Sequence, residues 1–443
     1  MPQATFNFPA GFLWGAATAA HQVEGGNTNN NWAAWEAEPG RILNGDRSGL
    51  ACDWWGGRWK EDLDRAAETG QNAHRMSIEW SRVQPTPDHW DEDALDHYRE
   101  IMRGMLARGL TPMVTLHHFT DPLWFYNQGG WELENAPELF EKYVSRVVEA
   151  LKEYVSLWVT INEPNVYVVS GYTGTDFPPG KGDMNAAFTV LRNLVRGHAA
   201  AYQAIKRIQK NSVVGIAVNY RSFKPACAAS PFDSLLARFL HNSYNDSFTR
   251  ALKTGELHFA AKHVAVPEAA GTQDFIGVNY YTRDLVRFAP LASRDLFMKR
   301  FFPKDALLSP TGFIAHVPDG MFEALRWANG YGLPIYITEN GVEDAADELR
   351  PRYLVEHLHQ VWRAANFNFP IKGYFHWSLV DNFEWERGWS QRFGLWGLDI
   401  QTQARIRRRS VDLYAEICRQ NAISSDTVQR FAPEAYPRLF PEA

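Results

Sequence analysis

The fold is decided by the segment Leu-Pro-Ile-Tyr-Ile-Thr-Glu-Asn-Gly at residues 333–341. Its β-branched residues Ile335 and Ile337 predict a buried strand, and the Asn-Gly pair that follows predicts a turn. The strand therefore ends at Glu339. Because a lone buried carboxylate is costly, we expect partners that compensate its charge to lie nearby.

A second segment, Leu-Trp-Val-Thr-Ile-Asn-Glu-Pro at residues 157–164, has the same design. Its apolar run predicts a strand that ends in Asn162 and Glu163. Two buried strands that each deliver a glutamate at the carboxyl end suggest an active site built on paired carboxylates.

Strand and helix patterns alternate about eight times along the chain, without a Gly/Ser-rich or Pro-rich linker between them. Besides the two segments above, strands are predicted at residues 12–18, 72–78, 111–118, 213–219, 275–280 and 371–377. Amphipathic helices are predicted between them, for example at residues 95–108, where Leu95 and Leu106 share one apolar face. The alternation predicts an α/β fold, a single (β/α)8 (TIM) barrel over residues 1–443.

In such a barrel the active site lies at the carboxyl ends of the strands. Polar or aromatic residues lie at the carboxyl ends of the predicted strands throughout the chain. Polar residues with a purely structural role would instead be scattered along the strands. The residues concerned are Gln22, Arg75, His118, Asn162, Glu163, Asn279, Glu339 and Trp377.

Two basic segments do not fit this pattern. Residues 282–317 show no clear period and are expected to be a long loop, which we interpret as a solvated surface rather than a basic lid. The arginine-rich run at residues 405–409 is interpreted as a solvated helix entry rather than a nucleic-acid site.

Composition limits the partners. The formal net charge is −6, so nothing favours nucleic acid or an anionic membrane, and no apolar run is long enough to span a bilayer. Cys52, Cys227 and Cys418 are widely spaced, which together with an N-terminus lacking a signal-peptide pattern predicts a reduced, cytoplasmic location. The oligomeric state is left open, with a homo-oligomer as one alternative.

The aromatic content is unusual, with 14% Phe, Trp and Tyr and 17 Trp. A large aromatic core and a carbohydrate-binding cleft both account for it. The candidate site residues include two glutamates, an arginine, a histidine and amides, with no metal-binding spacing or cofactor motif, and this combination fits glycoside hydrolysis. One carboxylic acid would protonate the leaving oxygen, and one carboxylate would face the anomeric carbon.

These residues resemble glycoside hydrolase family 1, the group of retaining β-glucosidases and β-galactosidases. The similarity covers nearly the whole chain. It is carried by Phe-Leu-Trp-Gly-Ala-Ala-Thr-Ala at residues 12–19, His-Gln-Val-Glu-Gly at 21–25, Arg-Met-Ser-Ile-Glu-Trp-Ser-Arg at 75–82, Thr-Ile-Asn-Glu-Pro at 160–164, Gly-Val-Asn-Tyr-Tyr at 277–281, Ile-Thr-Glu-Asn-Gly at 337–341, and Trp-Ser-Leu-Val-Asp-Asn-Phe-Glu-Trp at 377–385.

The resemblance implies a role for each matching residue. Glu339 would be the nucleophile and Glu163 the acid/base, with Asn162 bonding the sugar 2-hydroxyl and Arg75 and Tyr281 keeping the nucleophile ionised. The remaining matches would form the substrate-binding set: Gln22, His118, Asn279, Trp377, Glu384, Trp385 and Phe393.

The resemblance also narrows the substrate. Glu384 would repel a sugar phosphate, so neutral glycones are expected, and the retained Glu163 speaks against the thioglucosidase branch. Asn165, Phe119 and the stretch at residues 52–55 depart from the usual family pattern, which puts the aglycone preference in doubt and directs attention to a rim around Asn165. Phe313 and Trp327 are weaker candidates for outer subsites, and Trp327 fits a helix core better.

The expected activity is therefore that of a retaining exo-β-glycosidase with no cofactor and no metal. It would act on β-glucosides, and also on galactosides or fucosides, in oligosaccharides such as cellobiose or in aryl and alkyl glycosides. One alternative is an enzyme that mainly transfers glycosyl groups, which would share all the catalytic residues. Another is a silent sugar-binding barrel, which the presence of both glutamates and Arg75 disfavours.

Overall fold

The computed structural model describes residues 4–292 and 296–441. Most strands are short, and eight of them begin in the predicted apolar runs. In the described residues they are β1 Thr5–Asn7, β2 Leu13–Ala17, β3 Ala73–Ser77, β4 Thr111–His117, β5 Leu157–Asn162, β6 Val213–Pro225, β7 Glu256–Phe259, β8 Lys262–Ala265, β9 Phe275–Phe288, β10 Met298–Phe301, β11 Leu307–Leu308, β12 Ala315–His316, β13 Ile335–Asn340, β14 Ile371–Trp377, β15 Trp396–Leu398, β16 Arg405–Arg407 and β17 Ala422–Ser424.

Helices fill the connections. They are α1 Ala20–Val23, α2 Asn31–Ala37, α3 Trp59–Glu68, α4 Trp80–Val83, α5 Glu92–Ala107, α6 Leu123–Asn127, α7 Ala136–Leu151, α8 Pro164–Val168, α9 Met184–Ile208, α10 Pro231–Leu240, α11 Ser247–Thr254, α12 Asp319–Asn329, α13 Arg350–Asn366, α14 Arg409–Gln420, α15 Ser425–Phe431 and α16 Tyr436–Leu439. In the part of the chain that the structure describes, none of them combines the length and the apolar character that a bilayer span requires.

The central sheet confirms the predicted barrel. Its parallel strands follow the order β9-β13-β14-β2-β3-β4-β5-β6, and β6 pairs with β9 to close the ring. Backbones approach closely inside it: a Cβ added at Gly15 would lie 2.6 Å from the carbonyl oxygen of Ala73. The outer helices pack their apolar faces on the ring.

Strand register brings the predicted polar residues to one end of the barrel. Glu339 lies beside Asn279, which lies beside Asn219. Arg75 pairs with Ala17 near the end of β2. Because parallel strands all end on the same side, the two glutamates project from one face of the barrel.

Helix α5 shows how the sequence sets the local structure. The Asp91 side chain caps it by accepting from the Ala94 backbone N–H at 2.9 Å. Its buried face includes Leu95 and Tyr98, as the period of the pattern predicts. Leu106 was expected on this face but is 45% exposed, whereas Met105 in the same turn is buried.

The segment at residues 282–317 is more ordered than the long loop that was expected. Strand β9 continues to Phe288 and forms an antiparallel hairpin with β10. The strands β11 and β12 pair further along, and residues 293–295 lie outside the described ranges. In the second half of β9, buried side chains alternate with more exposed ones, as in any half-buried strand. The charged residues among them made this two-residue period hard to see in the sequence.

The interpretation of the arginine-rich run as a solvated helix entry is wrong for two of its members. Arg405 is buried in β16 and donates from Nη2 to Asp62 Oδ2 at 2.7 Å. Arg408 forms two hydrogen bonds with the Asp381 carboxylate, each at 2.8 Å. These ion pairs join the C-terminal part of the chain to helix α3 and to the segment after β14. A local charge pattern does not reveal such long-range pairing.

Candidate active site

Glu339 lies at the end of β13, where a cation and a phenol hold its carboxylate. Arg75, from β3, donates from Nη1 to Glu339 Oε1 at 2.6 Å. The Tyr281 hydroxyl, from β9, donates to Glu339 Oε2 at 2.7 Å. Arg75 Nε is itself anchored on Thr115 Oγ1 at 3.1 Å. Both carboxylate oxygens therefore accept strong hydrogen bonds that favour the ionised form.

Glu163 follows β5, and two neutral amides hold it. Its Oε1 accepts from Asn219 Nδ2 at 2.9 Å and from Asn279 Nδ2 at 2.8 Å. Its backbone is left-handed, with φ +44° and ψ +57°, directly before Pro164 at the start of α8. This conformation is strained for a residue with a Cβ, and such strain is concentrated at functional sites.

The two glutamates differ in their affinity for a proton. Burial, together with the nearby Glu339 charge, raises the pKa of Glu163 to about 8. Burial also raises the pKa of Glu339, but Arg75 and the Tyr281 hydroxyl oppose that shift. Because the partners of Glu163 are neutral amides, it takes the first proton that the pair binds. The hydrogen-bond partners therefore favour a proton on Glu163 and a negative charge on Glu339.

Asn162 connects this cluster to His118. Its Oδ1 accepts from Arg75 Nη2 at 2.6 Å and from Asn279 Nδ2 at 3.2 Å. The Asn162 Nδ2 amide must therefore donate to His118 Nε2, 3.1 Å away, which leaves the ring hydrogen on Nδ1. Burial and the nearby Arg75 lower the pKa of His118 well below its usual range. The neutral ring presents an Nδ1–H donor that has no partner among the described residues.

Gln22 and Glu384 form a second polar group. Gln22 Nε2 donates to Phe383 O at 2.7 Å and to Glu384 Oε2 at 3.3 Å. Within the described ranges Gln22 Oε1 is buried without a hydrogen-bond partner. Burial, with the charges of Glu386 and Glu339, raises the pKa of Glu384 well above its ordinary value. This pair supplies donors and acceptors suited to hydroxyl groups.

Aromatic rings surround these polar groups. The Trp377 and Trp385 rings each lie 6.0 Å from the His118 ring, centroid to centroid. The Phe393 ring meets the Tyr281 ring edge-on at 6.2 Å. The structure therefore brings every predicted site residue into one connected cluster at the carboxyl end of the barrel.

The sequence patterns missed Asn219 and Tyr244. Asn219 lies at the end of the apolar part of β6, so the strand-end rule that identified Asn162 applies to it as well. The Tyr244 hydroxyl donates to Asn219 Oδ1 at 3.1 Å. Tyr244 belongs to the π-helical turn His241–Asp246, in a segment whose helical pattern carries no sign of a site.

The expectation of a rim around Asn165 is corrected. Asn165 is 4% exposed, and its Nδ2 donates to the backbone carbonyls of Asn219 at 2.7 Å and Tyr244 at 3.1 Å. It therefore braces two site segments. Phe119 is also buried and packs on the Trp385 ring at 5.2 Å.

The structure distinguishes Trp327 from Phe313, the two weaker candidates for outer subsites. Trp327 is partly buried, and its Nε1 donates to Asp246 Oδ1 at 2.6 Å, which agrees with a packing role. Phe313 is 37% exposed, and the Arg387 guanidinium lies 5.2 Å from its ring centroid. Phe313 therefore stays a candidate for an outer subsite.

The arrangement can perform acid–base chemistry on a neutral, hydroxyl-rich molecule. The buried carboxyl groups of Glu163 and Glu339 share Asn279 as a neighbour, and donors and acceptors for hydroxyls lie around them. Across the described ranges there is no group of three or more His, Cys, Asp or Glu side chains that could hold a metal ion.

Known proteins resemble this chain over nearly its whole length. Glycosyl hydrolase family 1 matches residues 4–423. Beta-glucosidase A of Thermotoga maritima is 35% identical, with 94% of this chain and 98% of the relative covered. Beta-galactosidase of Saccharolobus solfataricus is 30% identical, with 95% and 97% covered.

A solved structure, a beta-glycosidase from Pyrococcus horikoshii, has the same fold. It matches with a TM-score of 0.88 and 38% sequence identity, and the match covers 97% of this chain and 98% of the other. The two proteins are therefore similar in amino-acid sequence as well as in fold. The chain belongs to glycosyl hydrolase family 1.

Proposed function

We propose that this protein is a retaining exo-β-glycosidase that releases terminal β-linked glucose, and also galactose or fucose, from small glycosides. As a member of glycosyl hydrolase family 1, the chain is a glycoside hydrolase. One observation carries the finer assignment: Arg75 and Tyr281 hydrogen-bond both oxygens of Glu339, while Glu163 has a raised pKa and only amides at its Oε1.

In the first step, a Glu339 oxygen attacks the anomeric carbon. The bond from that carbon to the leaving oxygen breaks, and the leaving oxygen takes the proton of Glu163. As the charge of Glu339 is lost in the new ester, Arg75 remains paired with Asn162 Oδ1 at 2.6 Å. The product is a glycosyl-enzyme whose anomeric configuration is inverted relative to the substrate.

In the second step, the ionised Glu163 removes a proton from a water molecule. The water attacks the same anomeric carbon and displaces Glu339, which regains its charge between Arg75 and Tyr281. Two inversions restore the original configuration. The sugar is thus released as its β-anomer, with both glutamates in their starting states.

The glycone subsite is proposed to use the second polar group. The Gln22 Oε1 acceptor and the His118 Nδ1–H donor supply complementary hydrogen bonds for sugar hydroxyls. Trp377 would stack beneath the ring, since an aromatic face suits the apolar face of a pyranose. Glu384 supplies a carboxyl group and not a cation at this subsite, so neutral glycones are expected in preference to phosphorylated ones.

Similar proteins support glucose and galactose as glycones. One relative described above is named a beta-glucosidase and another a beta-galactosidase. Cellobiose is proposed as a substrate on the same basis. A cytoplasmic location also stays a proposal, supported by the free, exposed thiol of Cys227, which persists in a reducing compartment.

A panel of nitrophenyl glycosides and cello-oligosaccharides tests the assignment. We expect β-glucosides to be hydrolysed from the non-reducing end and α-glucosides to be left intact. Proton NMR during early turnover should show the β-anomer first. Early release of the α-anomer would contradict retention, and dominance of transfer products at high acceptor concentration would favour the transglycosylating alternative.

The pH dependence of kcat/KM should follow Glu163. Its proton is needed in the first step, and its pKa is raised to about 8. We therefore expect kcat/KM for substrates with poor leaving groups to fall about tenfold per pH unit above that value. Initial rates from pH 5 to pH 10 check this, and a flat alkaline limb would contradict it.

A further inference from the structure

A hydrogen-bond chain ends on one particular oxygen of Glu163. The Tyr244 hydroxyl donates to Asn219 Oδ1 at 3.1 Å, and Asn219 Nδ2 donates to Glu163 Oε1 at 2.9 Å. Asn279 Nδ2 donates to the same Oε1 at 2.8 Å. The oxygen Oε1 thus faces two N–H groups, while among the described residues no hydrogen bond to Oε2 is found.

This arrangement decides where an acid proton can sit. A proton on Oε1 would point at the amide hydrogens of Asn219 and Asn279, and it would remove one of the two hydrogen bonds. A proton on Oε2 leaves both intact. The neutral form of Glu163 therefore carries its hydrogen on Oε2, the oxygen that is not engaged by protein amides.

The orientation of the Asn219 amide is what maintains this preference. An asparagine side chain turned by 180° would place its carbonyl oxygen against Glu163 and favour a proton on Oε1. Tyr244 opposes that turn, because its hydroxyl hydrogen needs the Asn219 oxygen as an acceptor. The orientation of the Asn219 amide thus depends on the Tyr244 hydroxyl, which hydrogen-bonds Asn219 but not Glu163.

We propose that Tyr244 is a positioning residue that acts through Asn219 to keep the acid proton of Glu163 on Oε2, where the leaving oxygen can take it. This inference rests on the proposed role of Glu163 as the acid. Tyr244 would thus influence the position of the acid proton without touching the substrate.

The surrounding structure holds Tyr244 in place. Asn165 Nδ2 donates to the backbone carbonyls of both Asn219 and Tyr244, so one amide ties strand β6 to the π-helical turn. The turn is also tied to β6 by Asn245, whose Nδ2 donates to the Arg221 carbonyl at 2.9 Å. A buried amide thus fixes the distance across which the phenol reaches Asn219.

Other charges act on the same groups and must be considered. Glu339 and Arg75 act on Glu163 in opposite directions. The charges that act on Tyr244 come from Glu163, Arg221, Arg300 and Asp284. Tyr281 and Glu384 also lie within electrostatic range of Glu163. Replacing Tyr244 by phenylalanine changes no formal charge, so a shift in the pH profile would report the amide and not these charges.

The test compares Tyr244→Phe with Tyr220→Phe. Tyr220 is a neighbour of Asn219 in β6 and packs on the Trp327 ring at 5.1 Å, so its variant controls for the loss of a hydroxyl nearby. For Tyr244→Phe we expect the alkaline limb of kcat/KM to move upward by about half to one pH unit, because the turned amide disfavours the carboxylate.

A second readout separates positioning from general loosening. With the proton misplaced, Tyr244→Phe should lower kcat/KM for alkyl glucosides about tenfold more than for dinitrophenyl glucoside, whose leaving group needs no acid. A structural defect alone would slow both substrates equally and leave the alkaline limb in place. Tyr220→Phe should retain both the wild-type limb and the wild-type ratio of the two rates.

An unchanged limb and an unchanged rate ratio in a folded Tyr244→Phe protein would overturn the inference, as would equal effects of Tyr220→Phe. Should Tyr244→Phe fail to fold, Asn219→Ala removes the same donor and must also raise the alkaline limb; an unmoved limb there would overturn the inference too. Wild-type protein inactive on every glycoside would instead refute the proposed function itself.

Discussion

Replacing Glu339 by glutamine is expected to lower kcat/KM on the order of 10⁴-fold or more for every glycoside that the protein cleaves. The amide is a poor nucleophile and cannot form the ester, and the buried Arg75 loses the anion that it pairs with at 2.6 Å. The effect should be independent of the leaving group. Initial rates on nitrophenyl glucoside and on cellobiose provide the measurement.

A matched control is available in the segment that follows β13. Glu343 is also a buried glutamate, but it accepts from Thr311 Oγ1 at 2.6 Å and lies outside the cluster described above. Glu343→Gln should therefore keep most of the activity. Adding azide to a Glu339→Ala protein should restore turnover and give the α-glycosyl azide by a single inversion. Wild-type rates in Glu339→Gln would remove Glu339 from the mechanism.

Glu163→Gln should have the second-largest effect, and its size should depend on the leaving group. For cellobiose and alkyl glucosides the missing acid should lower kcat/KM by about 10²- to 10⁴-fold. For dinitrophenyl glucoside the first step needs no proton and should be nearly preserved. Kinetics across a series of leaving groups measure this difference.

The same variant should lose its alkaline limb, because the group whose pKa is raised to about 8 has been removed. Azide should accelerate its second step and give the β-glycosyl azide, since the nucleophile Glu339 is intact. Glu343→Gln again serves as the control and should keep the wild-type limb. Equal losses for all leaving groups would show that Glu163 is not the acid.

The barrel strands could be predicted from local sequence alone. Strand β14 was predicted at residues 371–377 and is observed at Ile371–Trp377, because a buried parallel strand is an apolar run that local sequence displays. The α/β alternation then implied the barrel. The barrel in turn implied that residues such as Asn162 and Glu339 would meet.

The register of the closed sheet decided the detailed pairings. Asn219 and Glu163 are 56 residues apart in the chain, yet their side chains are 2.9 Å apart. Such a contact depends on where two strands end relative to one another. The strand-end rule would have placed Asn219 near the site, but its oxygen-specific hydrogen bond required the structure.

The amino-acid sequence by itself determined the barrel, the family resemblance and the two glutamates, since these follow from local apolar runs and from contiguous motifs. The tertiary structure alone decided the burial of Arg405 against Asp62 and the contact of Tyr244 with Asn219. The physical reason is the same in both cases. A charge or a phenol acquires its role from the partner that folding places beside it, and that partner lies far away in the chain.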